Sequence, residues 1–91
     1  MEATLFKIVD ICRSNNIEIT FIKELQQSGL IDITVIESQE FVPEEQIAQI
    51  ERYHNWYYNL ELNVQGIEVV QHLLQKIEFL QHEIKLLKRS H

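Results

Sequence analysis

The chain has 91 residues, 45% of them apolar, a formal net charge of −6 and a single cysteine, Cys12. That length supports one small domain with a modest core, for which a partner or a second copy adds stability. One cysteine excludes a disulfide scaffold and a cysteine-rich zinc module. The apolar runs are only a few residues long, far below the ~20 that span a bilayer, so no membrane role is expected. Met1-Glu2-Ala3-Thr4 lacks the basic and apolar character of an export signal, and a cytoplasmic protein is expected. The acidity sits in the N-terminal half: residues 1–51 carry ten acids against Lys7, Arg13 and Lys23, and residues 52–91 carry four acids against five bases.

Ile8, Ile11 and Cys12 fall at i, i+3, i+4 and predict a short first helix to about Arg13, with Cys12 as a small core residue. Asn15-Asn16 reads as its exit, because asparagine tolerates a left-handed backbone. A second helix is expected from about Ile19 to Ser28, with Ile22 and Leu25 inward and Gly29 just past its end. Together the two make a helix-turn-helix.

The pattern then changes to β-branched runs, Ile33–Ile36 and Phe41-Val42, on either side of the polar Glu37–Glu40, which predicts a small hairpin or wing. Pro43 suits the first position of a third helix with Glu44 and Glu45 in its first turn, running to about Asn59. Its expected buried stripe is Ile47, Ile50, Tyr53 or His54, Tyr57 and Leu60, with Trp56 beside it and Tyr58 partly exposed.

Asn63 is a good N-cap for a final long helix that continues past Leu87, with Lys85, Lys88 and Arg89 at its end. Val70, Leu73, Ile77, Leu80, Ile84 and Leu87 repeat at alternating 3-4 spacing, which is a coiled-coil seam. Burying six such side chains yields roughly 9 to 18 kcal/mol against an association cost of ~4 to 15, so a homodimer is expected through this seam, parallel or antiparallel. The fold class is mainly α: a winged helix-turn-helix head over residues 1–62 and a long C-terminal helix over 63–91 of the same domain.

No residue group supplies catalysis, and no cofactor or metal is expected. A nucleophile needs an adjacent base and a metal needs converging ligands. His72 and His82 are ten positions apart on one helix, His54 is isolated and His91 is terminal. The run Tyr53–Tyr58 could stack nucleic-acid bases, but Arg52 is the one base beside it, and packing of the third helix is the better reading.

The order of elements resembles the MerR family, and more closely the CbpM-type chaperone modulators. The likeness runs over about Phe6 to Lys88, through Phe6–Cys12, Leu25–Ile31 and Leu60–Ile67, where Leu-x-Leu-Asn-x-x-Gly-Ile enters the long helix. The resemblance implies a non-enzymatic protein that binds the J-domain of a DnaJ-like (CbpA-type) co-chaperone and regulates its work with DnaK. The residues agree with protein binding in one respect. A DNA-reading head needs arginines and lysines for phosphate, whereas the second helix has only Lys23 and the wing from Asp32 to Glu45 has no base.

Glu24, Asp32, Glu37, Glu40, Glu44 and Glu45 would repel a polyanion, so DNA is a disfavoured partner, and they would steer a basic protein face. They are the candidate partner-binding residues, and an acidic surface that merely solvates the head is the bland alternative. The other functional reading is a MerR-like DNA-binding transcriptional regulator. Asn16 and Glu18 depart from the family, which more often has glycine and a serine or threonine cap there. The long helix has no cysteine, so metal sensing is not expected.

Overall fold

The computed structural model describes residues 4–89, so the readings at Met1–Ala3 and at His91 lie outside the described residues. In chain order the elements are β1 (Leu5–Lys7), α1 (Ile8–Asn15), α2 (Ile19–Gln27), β2 (Thr34–Ile36), β3 (Gln39–Pro43), a 3-10 turn (Glu44–Gln46), α3 (Ile47–Asn59) and α4 (Val64–Arg89). This is the expected helical head, wing and long helix, with one strand more than the sequence predicts.

Helix α1 ends because Asn16 turns left-handed, at φ 54° and ψ 47°, and the Ile17 amide then donates to the Cys12 carbonyl at 3.0 Å. This is a Schellman closure with asparagine in the glycine position, and it delivers Ile17 into the core. Helix α2 ends the same way on Gly29 (φ 76°), where the Leu30 amide donates to the Leu25 carbonyl at 2.9 Å and the Gly29 amide to that of Gln26 at 3.0 Å. At its other end Glu18 occupies the N-cap but makes no side-chain capping bond. The acid stands in for the usual serine or threonine cap in position only.

The sheet order is β1-β3-β2, antiparallel throughout. β2 and β3 form the wing, joined by Glu37 and Ser38 at φ 50° and 65°. β1 pairs Phe6 with Val42 on the far side of β3. This pairing corrects the expectation for Pro43. It lies opposite Leu5 as the last residue of β3, and the Glu44 amide donates to the Thr4 carbonyl at 2.9 Å, so the backbone stays extended there. Glu44 and Glu45 therefore sit in a 3-10 turn, and α3 begins at Ile47.

Ile8, Ile22, Leu25, Val42, Ile50, Tyr53 and Ile67 are essentially fully buried and bring together every helix and the central strand. Phe21 is buried beside them. Cys12 is half-buried against this core, and burial pushes its thiol up from the ordinary value, which leaves it protonated. On α3 the expected stripe is only half realised. Ile50 and Tyr53 are buried and His54 and Trp56 half-buried, but Tyr57 and Leu60 are exposed. The chain turns left-handed at Glu61 (φ 54°), which directs Leu62 rather than Leu60 against the core.

Asn63 caps α4 as expected: its Oδ1 accepts the Gly66 amide at 2.8 Å. Arg52 ties α3 to α4 through the Gln71 side chain at 2.9 Å and lies over the Trp56 ring. Val64 and Ile67 are buried and Val70 and Leu74 half-buried. Beyond Leu74 the head no longer covers the helix, and Leu73, Ile77, Leu80, Ile84 and Leu87 are 49 to 63% exposed.

Candidate functional site

The predicted acidic residues divide into two groups. Glu37 is at the wing tip and Glu40 on β3, with Glu44 and Glu45 exposed in the turn after it. Asp32 joins this side because its amide donates to Gln46 Oε1 of that same turn at 2.8 Å. Glu24 is separate. It borders one hollow with Phe21, His54, Tyr57 and Tyr58, and another with Asn63, Val64 and Gln65, so it faces α3 and the start of α4. Successive helix positions diverge by about 100°, and it is the neighbouring Lys23 that reaches the wing.

Lys23 and Glu40 form an ion pair there. The second helix's one base is thereby paired within the chain by a partly exposed contact, and one wing acid is engaged in doing it. Glu37, Glu44, Glu45 and Asp32 have no ion pair among the described residues.

Sequence reasoning missed the apolar part of this face. Val9, Ile19, Val35 and Ile36 are exposed. Val9 and Ile19 line a groove of about 290 Å³ with Lys7, Ile8, Ser38, Gln39 and Glu40. Such a groove receives aliphatic side chains, and Lys7 is its one cation beside the carboxylate of Glu40. The signal was present in the sequence, as aliphatic residues at the outward positions of α1 and α2, but the inward stripe drew the reading.

Sequence reasoning also placed Tyr57 in the buried stripe of α3, with Tyr58 partly exposed. Tyr57 is instead 41% exposed, and Tyr58 is open to solvent as expected, at 56%. Burial of His54 pushes its imidazole below the ordinary 6.5, and its Nε2 has no hydrogen-bond partner. His72 and His82 are exposed on α4. Among the described residues no group of three or more histidine, cysteine, aspartate or glutamate side chains could hold a metal ion, and no helix is long and apolar enough to cross a membrane.

The family model described as MerR HTH family regulatory protein matches residues 6–89. No curated protein and no solved structure matches the chain at a significant level. The match takes in both helices of the helix-turn-helix, the wing, α3 and all of α4, so the chain belongs to the MerR helix-turn-helix family of regulatory proteins.

Proposed function

We propose that this MerR-family chain is a non-enzymatic, cytoplasmic chaperone modulator that binds the J-domain of a DnaJ-like (CbpA-type) co-chaperone through its wing side and regulates that co-chaperone. The observation that carries the reading is a wing with no base beside a Lys23 already paired with Glu40, on a face where Val9, Ile19, Val35 and Ile36 are open to solvent and Lys7 is the remaining cation of the groove. A protein surface of basic and apolar residues complements it. A DNA backbone, whose affinity comes from several phosphate contacts, does not. The resemblance of Phe6–Cys12, Leu25–Ile31 and Leu60–Ile67 to CbpM-type modulators supplies the J-domain as the specific partner. Asp32, Glu37, Glu44 and Glu45 are the contact candidates, with Glu40 secondary because of its ion pair and Glu24 set apart because it faces α3.

The test is calorimetric titration of the full chain with the isolated J-domain at two salt concentrations. Micromolar binding that weakens with salt, and that Glu37→Lys with Glu44→Lys abolishes in a folded protein, supports the reading. Absence of heat at both salts removes it. Membership of a regulatory helix-turn-helix family favours the alternative, a transcriptional regulator, and duplex retention in a mobility shift above about 100 mM salt would favour it over the modulator.

A further inference from the structure

On the side of α2 opposite the wing, four rings close a circuit. Phe21 lies 5.7 Å from His54 and 4.9 Å from Tyr57, while Tyr58 lies 4.5 Å from His54 and 5.5 Å from Tyr57. The planes are inclined by 56° to 71°, so the rings meet edge to face or tilted rather than stacked, and together with Glu18, Thr20 and Glu24 they line a small hollow. Glu18 and Glu24 stand at its edge with Thr20. Neither carboxylate has an ion pair among the described residues, and that of Glu18 is not used to cap its helix. No lysine or arginine lines the hollow.

We propose that this aromatic quartet, rimmed by Glu18 and Glu24, receives a single cationic side chain, lysine or arginine, from a partner protein. A cation is drawn to the negative faces of tyrosine and phenylalanine rings, and two unpaired carboxylates supply the acceptors that its N–H groups need. The hollow is small, about 30 Å³, which suits the tip of one side chain. Packing alone does not account for the arrangement, since two of the rings remain open to water. Burial keeps His54 neutral near pH 7, so the quartet holds no competing charge. A stacked nucleotide is opposed by the same two carboxylates, which would repel its phosphates. The pocket goes beyond the co-chaperone reading and does not require it. Wing charge reversals leave Glu18, Glu24 and the four rings intact, so failure of the J-domain titration leaves the pocket standing.

The experiment is an NMR titration of the full chain with N-acetyl-lysine methylamide and N-acetyl-arginine methylamide, with the neutral N-acetyl-norleucine methylamide and a short thymidine oligonucleotide as comparisons. The expected result is saturable shifts of the Phe21, Tyr57 and Tyr58 ring protons with at least one cationic amide, at a Kd of about 1 mM or somewhat above. Glu18→Gln with Glu24→Gln, in a chain whose circular dichroism is unchanged, weakens this by about fivefold or more, and Tyr58→Ala by about threefold. Equal shifts with the norleucine amide, saturation only with the oligonucleotide, no saturable shift, or an unchanged Kd in the glutamine double variant would each overturn the proposal.

Discussion

Lys23 of α2 is ion-paired with Glu40 of β3, and this contact joins the second helix of the helix-turn-helix to its wing. Both side chains are about one-third exposed, 38% and 33%, so the pair is screened and stabilises by no more than about 1 kcal/mol. Glu40→Gln is expected to lower the urea midpoint only slightly. It frees Lys23 beside Lys7, too few cations for the several phosphate contacts of a duplex binder, so duplex binding stays absent above about 100 mM salt. A loss of several kcal/mol, or a stable DNA complex, would contradict this account of the face.

The wing turn holds two non-glycine residues, Glu37 and Ser38, at positive φ. Two-residue hairpins of this hand favour asparagine followed by glycine, because side chains with a Cβ are strained there. Ser38→Gly leaves the charge unchanged and is expected to raise stability by roughly 0.5 to 1 kcal/mol, a rise of several degrees in Tm for a domain of this size. Thermal unfolding followed by circular dichroism checks it, and a lowered Tm would mean that the serine side chain has a role at the wing tip beyond filling the turn.

What could be read from the sequence follows from how local each feature is. The left-handed exit at Asn16, the Gly29 terminus and the Asn63 cap depend on a few neighbouring residues, and each is found where expected. β1 has three residues and no alternation of its own, and it is a strand only because β3 is there to pair with it. The same pairing holds Pro43 extended, against its preference for the start of a helix. At the candidate site the sign of the charge was legible from composition. That Lys23 neutralises Glu40, and that Glu24 turns toward α3, depends on where the wing and α3 pack around α2. Periodicity put Tyr57 and Leu60 inward, but the turn at Glu61 ends the helix before the core can cover them.

His54 gives a pH dependence whose sign is fixed. Burial lowers its folded value below the ordinary 6.5 of the unfolded chain. As pH falls through 6.5 the unfolded chain binds a proton before the folded one does, so this contribution to stability is full above 6.5 and is lost toward the lower folded value. Urea unfolding at about pH 7.5 and about pH 5.5 should give a lower midpoint at the acid value, and His54→Phe should reduce the difference. An unchanged difference in the variant would assign the acid sensitivity to other groups.

The exposed part of α4 gives the last prediction. Val70 is half-buried against the head, which leaves Leu73, Ile77, Leu80, Ile84 and Leu87 as the open part of the 3-4 seam. Each contributes about 1.5 to 3 kcal/mol when fully buried, enough together to offset the lower range of association costs. A homodimer through this stretch is the expected state at micromolar concentration by sedimentation. Ile77→Glu with Ile84→Glu should yield a monomer with an intact head, because α4 is anchored to the head by Val64 and Ile67, more than two helical turns earlier. Retention of the dimer in that variant would move the interface off the seam, and a monomeric wild-type chain would leave this apolar stretch to a different protein.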